Sequence, residues 1–160
     1  MAIASFAGGC FWGVEALFRA VPGVTDAVCG YEGGHSENPT YKEVCTDATG
    51  HAETVQLTFD PAVISFDGLL DAFFGGHNPT TLNEQGVDKG TQYRSVIFYH
   101  DAEQEAIARG KVAALTAAKI FTKPIVTEIV PAVKFWPAEE YHQRYFEKHP
   151  DEQVCHFGEH

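Results

Sequence analysis

Residues 52–59, AETVQLTF in one-letter code, constrain the fold more than any other stretch of this chain. Their side chains alternate with a period of two, which is the period of a β-strand with two distinct faces. Glu53 is in phase with Val55 and Leu57, whereas the threonines and the glutamine point the other way. A strand with one apolar face needs a second layer of structure to cover it.

Several segments predict the helices of that second layer. Residues 11–21 place apolar side chains at i, i+3, i+4 and i+7 and end at a Pro-Gly pair. A similar apolar face follows Ser65, which is a suitable N-cap. Residues 101–118 are rich in alanine. A last helix is predicted from about 137 to 147, because a proline and two glutamates occupy its first turn.

Further strands are predicted near residues 2–7, 24–31, 94–100 and 125–130. Two irregular stretches, 32–50 and 75–93, are rich in Gly, Asn and Pro, and loops of that length within a domain are often functional. We therefore expect one α+β domain over residues 1–148, with helices packed on a mainly antiparallel or mixed sheet that has a ferredoxin-like core. Residues 149–160 would form a polar tail.

Charge and cysteine content exclude several classes of protein. The chain has 11 Lys and Arg against 22 Asp and Glu, and it lacks the basic run that a nucleic-acid-binding surface requires. The N-terminus shows neither a signal peptide nor a membrane span, so we expect a cytoplasmic protein. Separately, we expect a monomer. Of the four cysteines, no two have C-x-x-C spacing, and in a reducing compartment they are free or catalytic rather than structural.

Cys10 lies in the GGCFWG segment of residues 8–13, where the first strand gives way to the first helix. Unpaired backbone N–H groups and the helix dipole favour negative charge there, so we expect a lowered thiol pKa and a reactive thiolate. The glycines allow a substrate to approach the backbone closely. The alternative is a small buried cysteine in a turn, and the neighbouring residues decide between the two.

The residues that decide whether Cys10 is reactive or structural are Glu53 and the two aromatic residues that follow Cys10. Burial of Glu53 on the apolar face of its strand would raise the carboxyl pKa, which suits a general acid. Alternatively, the strand end protrudes and the carboxylate is solvated. Phe11 and Trp12 either fill the core or form the wall of an apolar pocket.

Four motifs resemble the signatures of the A-type peptide-methionine sulfoxide reductases. They occur in that family's order and nearly its spacing: GCFWG at 9–13, NPTY at 38–41, GHAE at 50–53 and DKGTQYRS at 88–95. The likeness covers about residues 3–147. One departure is Asn78, where relatives often have Asp, although the chemistry implied by the family does not require that carboxylate.

The resemblance implies a role for each residue of these motifs. Cys10 would attack the sulfoxide sulfur while Glu53 protonates the departing oxygen. Tyr41 and Tyr93 resemble the two tyrosines that hydrogen-bond this oxygen, and Asp88 resembles the supporting carboxylate. An apolar pocket keeps a carboxyl group neutral near pH 7, which fits such a proton donor.

Phe11 and Trp12 resemble the aromatic walls that hold the S-methyl group of the substrate. The family acts on the S epimer of methionine sulfoxide, free or in proteins, and uses no metal or organic cofactor. A methyl group held against aromatic faces fixes which way the oxygen points, and this suffices for stereoselectivity.

The product on Cys10 would be a sulfenic acid, which needs a second thiol. Cys155 is the leading candidate, because the polar tail could bring it to Cys10 and many family members carry a resolving cysteine there. Thioredoxin, the usual electron donor of the family, would then reduce the disulfide. Cys45, in the loop near Tyr41, is the alternative resolving thiol, and Cys29 is expected in the core.

Two other classes of protein compete with this interpretation. A cysteine hydrolase or acyltransferase would pair Cys10 with a histidine such as His51 or His77, yet the buried position belongs to Glu53. A metal-binding module could use three residues of the tail: Cys155, His156 and His160. However, the sequence does not contain four ligands at the spacing of a zinc site.

Overall fold

The elements of the fold were assigned in a computed structural model that describes residues 1–151 of the 160. In chain order they are β1 (Ala2–Ala7), α1 (Phe11–Arg19), β2 (Val24–Glu32), α2 (Tyr41–Val44), β3 (Ala52–Phe59), α3 (Phe66–Gly76), β4 (Glu84–Gln85), β5 (Asp88–Lys89), β6 (Val96–Tyr99), α4 (Ala102–Ala117), β7 (Glu128–Pro131), β8 (Trp136–Pro137) and α5 (Tyr145–Lys148). Two 3-10 turns cover Thr91–Tyr93 and Glu140–His142.

The main sheet has the strand order β7-β6-β1-β3-β2-β8. Its neighbouring strands are antiparallel except for β6 and β7, which are parallel and joined through α4. The central strands β6, β1, β3 and β2, with α1 and α3 as crossovers, form a β-α-β-β-α-β unit of the ferredoxin-like type. The predicted α+β class, mixed sheet and ferredoxin-like core are confirmed.

Strand β3 spans the residues that its alternation predicts, and it lies between β1 and β2. Because this position is central, packing covers both faces, and Thr54 is as fully buried as Val55. The register places Glu53 opposite Tyr31 of β2. Glu53 is therefore the second residue of a central strand and is fully enclosed there, rather than solvated at a protruding strand end.

Aromatic side chains join the sheet to the helices. The ring of Phe6 on β1 lies 5.0 Å from that of Phe18 on α1 and 4.9 Å from that of Phe73 on α3. Ser65 caps α3 as predicted, because its hydroxyl accepts a hydrogen bond from the backbone N–H of Gly68 at 3.0 Å. This packing fixes both helices against β1 and so fixes the β1–α1 turn.

The predicted helix over residues 137–147 is wrong. Residues Trp136–Pro137 form the edge strand β8, and the chain reaches α5 only after a 3-10 turn and Arg144, which has a φ of 54°. The Gln143 side chain makes hydrogen bonds to both backbone groups of Cys29 on β2. Contacts to the sheet outweigh the local helix signals, because they satisfy polar groups that a continuous helix would leave unmatched.

The two long irregular stretches contain short elements. α2 lies in the first and starts at Thr40, whose side chain forms a capping box with Glu43. The second contains the β4–β5 hairpin and a 3-10 turn. Within residues 1–151, no helix is both long and apolar enough to cross a membrane. Cys155 and most of the predicted tail lie outside the described residues.

Candidate active site

Cys10 is the N-cap residue of α1 and is partly exposed. Its carbonyl oxygen accepts hydrogen bonds from the backbone N–H groups of Gly13 and Val14, at 3.1 and 3.3 Å. Gly9, just before it, has a φ of 100°, a value that favours glycine. The tight turn therefore places the thiol at the start of the helix, as the sequence predicts.

The expectation of a lowered thiol pKa is wrong for the substrate-free protein. Burial of the sulfur raises the pKa of Cys10 well above its usual value, and the nearby carboxyl groups of Glu53 and Asp88 raise it further. The backbone N–H groups of Trp12 and Gly13 lower it, but by less. Desolvation outweighs the helix N-terminus here, so Cys10 rests as a neutral thiol.

Glu53 is fully buried, which confirms the predicted burial. Its Oε1 accepts a hydrogen bond from the backbone N–H of Phe11 at 3.1 Å, and its Oε2 has no hydrogen-bond partner within residues 1–151. Burial raises the pKa of Glu53 to about 8, against the opposing effect of the Phe11 N–H. The carboxyl group is therefore mostly protonated at neutral pH, with one oxygen available to a ligand.

Tyr41 and Tyr93 are half-buried, and both interact electrostatically with Glu53. Burial and the nearby carboxyl group raise the pKa of each phenol, so both hydroxyls remain donors across the physiological range. Asp88 lines the cavity beside Cys10 and interacts electrostatically with Glu53. The structure thus brings five predicted residues, from four separate motifs, into one cluster.

Trp12 lies between two residues near the end of the described chain. Its indole N–H donates to Nδ1 of His142 at 2.9 Å, and the ring of Tyr145 stacks on it at 3.6 Å between centroids, 5° from parallel. Burial lowers the pKa of His142, which keeps Nδ1 available as an acceptor. Trp12 is partly exposed, whereas Phe11 is fully buried, with its ring against Tyr31.

Glu139 connects two tyrosines at the site. The sequence patterns predicted a role for neither Glu139 nor three other residues that surround the site: Tyr31, His142 and Tyr145. Its Oε1 accepts a hydrogen bond from the Tyr31 hydroxyl at 2.8 Å, and its Oε2 accepts one from the Tyr41 backbone N–H at 3.0 Å. The density of aromatic residues over 136–146 was the available signal, but the predicted helix obscured it.

Glu15 holds the segment that encloses Trp12. This glutamate is almost fully buried on α1, and its Oε2 accepts a hydrogen bond from Arg19 Nε at 3.1 Å. Its Oε1 accepts one from the backbone N–H of Arg144 at 2.8 Å. Arg144 lies between His142 and Tyr145, so this carboxylate fixes the backbone that places both rings against Trp12.

Replacing Glu15 with Gln should therefore weaken substrate binding. The amide has one acceptor where the carboxylate has two, and leaving a buried donor unsatisfied costs about 1–3 kcal/mol. We expect KM for the substrate to rise about 3- to 10-fold, with a smaller change in kcat. The matched control is Glu105→Gln, which breaks an exposed i,i+4 pair with Arg109 on α4. Equal kinetics for the two variants would contradict this role.

Neither histidine proposed for a hydrolase can serve as the base for Cys10. Nδ1–H of His77 donates to the Phe73 carbonyl at 2.6 Å, so Nε2 accepts from the Ser95 hydroxyl at 2.7 Å. His51 accepts from the Gly34 N–H at 3.0 Å and donates to the Ser36 carbonyl at 2.8 Å. Both imidazoles are held by these hydrogen bonds, and the side chains that act on the pKa of Cys10 are the carboxyl groups of Glu53 and Asp88.

Cys29 and Cys45 differ in their exposure to solvent. Cys29 is fully buried, as expected, and its sulfur lies 3.5 Å from Oε1 of Glu15. Cys45 is exposed at the end of α2, and its thiol interacts with the Tyr41 side chain. Within residues 1–151, no group of three or more His, Cys, Asp or Glu could hold a metal ion. The three residues considered for a tail metal site lie outside this range: Cys155, His156 and His160.

Fold and site together define an enzyme class. The site combines a cysteine at a helix start with a buried protonated carboxyl group and two phenols. These acidic groups can transfer protons to a polar acceptor atom of a substrate while the cysteine sulfur attacks the substrate atom bonded to that acceptor. His77 lines the same cavity as Cys10, but both ring nitrogens of His77 and of His51 are hydrogen-bonded to other groups, so neither imidazole is arranged as the base that acyl transfer by cysteine requires. The arrangement is that of a thiol-dependent oxidoreductase.

Comparison with known proteins identifies the family. Residues 2–160 match the family model described as "Peptide methionine sulfoxide reductase". Peptide methionine sulfoxide reductase MsrA of Acidobacterium capsulatum is 62% identical over 148 residues, which cover 92% of this chain and 95% of that protein. The crystal structure of Mxr1 from Saccharomyces cerevisiae in reduced form has a TM-score of 0.85 and 38% identity, over 93% of this chain and 86% of that one.

A structure of Mxr1 in complex with Trx2 also matches, with a TM-score of 0.62 and 28% identity, over 90% of this chain and 84% of that one. This chain belongs to the peptide methionine sulfoxide reductase family. Its activity is the thiol-dependent reduction of methionine sulfoxide, and the resemblance drawn from the four motifs is confirmed.

Proposed function

We propose that Cys10 attacks the sulfur of the S epimer of methionine sulfoxide, free or in a polypeptide. The observation that carries this proposal is the fully buried Glu53, whose Oε2 lacks a hydrogen-bond partner within residues 1–151 and whose pKa is about 8. A sulfoxide oxygen is a pure acceptor and a poor leaving group until it is protonated. A neutral buried carboxyl group supplies both a hydrogen bond and that proton.

The reaction can be written with all atoms balanced. The Glu53 carboxyl donates its proton to the sulfoxide oxygen, and the resulting carboxylate takes the proton of the neighbouring Cys10 thiol as the sulfur attacks. The oxygen ends on Cys10 as a sulfenic acid, and methionine leaves. Tyr41 and Tyr93 donate hydrogen bonds to the oxygen, and Asp88 supports the cluster. No metal or organic cofactor is required by these steps.

Stereoselectivity follows from the aromatic wall. We assign the contact with the S-methyl group to Trp12, which is partly exposed, and a supporting role to Phe11, which has no accessible surface. With the methyl group against the indole, only one epimer directs its oxygen towards Glu53. The other would direct a lone pair there and place its oxygen away from the proton donor.

Recycling of the enzyme requires a second thiol and an external reductant. The sulfenic acid on Cys10 would condense with Cys155 to form a disulfide and water, and a thioredoxin would then reduce this disulfide. The complex of Mxr1 with Trx2 supports a thioredoxin as the donor. Cys45, exposed near Tyr41, is the alternative resolving thiol. We further propose a cytoplasmic monomer, with residues 1–148 as the catalytic domain.

A stereochemical assay tests the proposed substrate. The purified protein is incubated with the separate S and R epimers of N-acetyl methionine sulfoxide and dithiothreitol, and N-acetyl methionine is quantified. We expect turnover of the S epimer, with kcat/KM for the R epimer lower by about 10³-fold or more, since the R oxygen cannot reach the acid. Comparable turnover of both epimers would contradict the assigned geometry.

A further inference from the structure

Glu139 lies on a part of the chain that the main sheet holds in place. It follows the edge strand β8, and the backbone N–H of Ala138, just before it, donates to the Cys29 carbonyl of β2 at 2.8 Å. Beyond the 3-10 turn that follows Glu139, the Gln143 side chain donates to the same Cys29 carbonyl at 2.9 Å and to the Ala138 carbonyl at 3.2 Å. The backbone on both sides of Glu139 is therefore fixed to the sheet.

Residues of the site use both carboxyl oxygens of Glu139. Oε1 accepts a hydrogen bond from the Tyr31 hydroxyl at 2.8 Å, and Oε2 accepts one from the backbone N–H of Tyr41 at 3.0 Å. Partial burial raises the pKa of Glu139, but the hydrogen bonds from Tyr41, from its own backbone N–H and from Tyr31 lower it by more. Glu139 is therefore a carboxylate at neutral pH and acts only as an acceptor.

The hydrogen bond from Tyr41 fixes the start of α2. Tyr41 is the first residue of this helix, and its backbone N–H is one of the groups that a helix cannot bond internally. The capping box satisfies the N–H groups of Thr40 and Glu43 but not that of Tyr41. Glu139, 98 residues further along the chain, supplies the acceptor for it. The position of Tyr41 relative to the sheet therefore depends on this carboxylate.

Tyr31 fixes the orientation of the Glu139 carboxylate. Tyr31 is fully buried on β2, where its ring lies 5.7 Å from that of Phe11. Its hydroxyl donates to Oε1, so the other oxygen of Glu139 is the one that faces the Tyr41 N–H. A chain of contacts thus runs from the sheet through Tyr31 and Glu139 to the backbone of Tyr41.

The other contacts of Tyr41 are less directional. Its ring lies 6.4 Å from that of Phe11 and 4.4 Å from that of His142, between centroids. Apolar contacts of this kind are non-directional, whereas a hydrogen bond restricts both distance and angle. The phenol of Tyr41 also interacts electrostatically with Glu53, so a shift of α2 would move the Tyr41 hydroxyl relative to the proton donor.

We propose that Glu139 is a positioning residue, which holds the Tyr41 hydroxyl where it can donate a hydrogen bond to the sulfoxide oxygen. This inference rests on the proposed function, in which Tyr41 is such a donor. Glu139 then acts through the Tyr41 hydroxyl and not on the substrate itself. Its contribution belongs to the rate of the chemical step and disappears when that hydroxyl is absent.

A double-mutant cycle tests the proposal. Glu139→Ala, Tyr41→Phe and the double variant are compared with the wild type in single-turnover assays over a range of N-acetyl methionine sulfoxide concentrations. We expect Glu139→Ala to lower the maximal rate about tenfold and to change the apparent substrate affinity by less than about twofold, as misplacement of a catalytic group would. In the Tyr41→Phe protein the same change should lower the rate by less than about twofold, because the group that Glu139 positions is already gone.

Two further variants at neighbouring chemistry sharpen the cycle. In Glu139→Gln the amide oxygen can accept from the Tyr41 N–H while the amide nitrogen donates to the Tyr31 oxygen, so the rate should stay within about threefold of the wild type. The matched control is Glu140→Ala, the adjacent exposed glutamate, which should keep the full rate. If Glu139→Ala does not fold, Tyr31→Phe replaces it in the cycle. Tyr31→Phe frees the carboxylate to turn and should show the same dependence on the Tyr41 hydroxyl.

Several results would overturn the proposal. Losses that multiply in the double variant would show that Glu139 acts on the fold or on another group. An unchanged rate in Glu139→Ala, or a loss confined to substrate affinity, would exclude a role in positioning. A loss in Glu139→Gln as large as in Glu139→Ala would show that the charge matters and not the position. Failure of the proposed function looks different, because Tyr41→Phe alone would then keep the wild-type rate.

Discussion

Replacement of Cys10 by Ser is expected to abolish the reduction of methionine sulfoxide. A serine hydroxyl is far less nucleophilic than a thiol and cannot accept the sulfoxide oxygen as a sulfenic acid. We expect the rate to fall by at least about 10³-fold, to background. The measurement is a single-turnover assay in which pre-reduced protein is mixed with methionine sulfoxide and methionine is quantified, together with the thiols that are consumed.

The other cysteines provide matched controls for this variant. Cys155→Ser should still release one methionine per protein molecule in a single turnover but lose multiple turnovers with thioredoxin. Cys29→Ser alters a fully buried thiol that the proposed chemistry does not use, and it should retain the single turnover if the protein folds. Retention of thioredoxin-dependent turnover by Cys155→Ser, with its loss in Cys45→Ser, would assign resolution to Cys45. Activity of Cys10→Ser would exclude Cys10 as the nucleophile.

Replacement of Glu53 by Gln should lower the single-turnover rate by about 10²–10⁴-fold, the range typical of a general acid. The amide can donate a hydrogen bond to the sulfoxide oxygen but cannot give up a proton to it. Because the acid form is required, the wild-type rate should fall as the pH rises through about 8, the pKa of Glu53. The variant should lack this decline.

The pH profile separates an acid from a structural residue. The control is Glu103→Gln, an exposed glutamate in the first turn of α4, which should keep both the rate and the alkaline decline. Tyr41→Phe and Tyr93→Phe should also keep the decline at a reduced rate, since each removes a hydrogen bond but not the titrating group. A wild-type rate that rises steadily through pH 8 would show that thiolate formation at Cys10, and not proton donation by Glu53, limits the reaction.

Local patterns in the sequence were sufficient for the regular core. The alternation of residues 52–59 predicted β3 to the residue, and the 3.6-residue spacing after Ser65 predicted α3 with its cap. Both succeeded because the side chains that carry the pattern are the ones that the core buries. The helix predicted over 137–147 was wrong because the partners of this segment, Trp12 and the backbone of β2, are distant in the sequence. These partners satisfy its polar groups better than a helix would.

Site residues were predictable to the extent that motifs mark them. The four motifs predicted Cys10, Glu53, Tyr41, Tyr93 and Asp88 as site residues, and the fold brings all five close together. The residues that were missed have no motif of their own. Glu15, Glu139 and His142 act through hydrogen bonds to backbone or to a ring far along the chain. Such contacts exist only once the sheet and helices have come together.

The protonation state of Cys10 shows the difference between what the sequence determines and what the tertiary structure decides. By itself the sequence determined where the thiol lies, at the start of α1 between glycines, because strand, turn and helix signals are local. Only the tertiary structure decided that the thiol is neutral at rest. Burial of Cys10 beside Glu53 depends on the packing of β1, β3 and the β4–β5 hairpin. This burial raises the thiol pKa by more than the N–H groups at the helix N-terminus lower it.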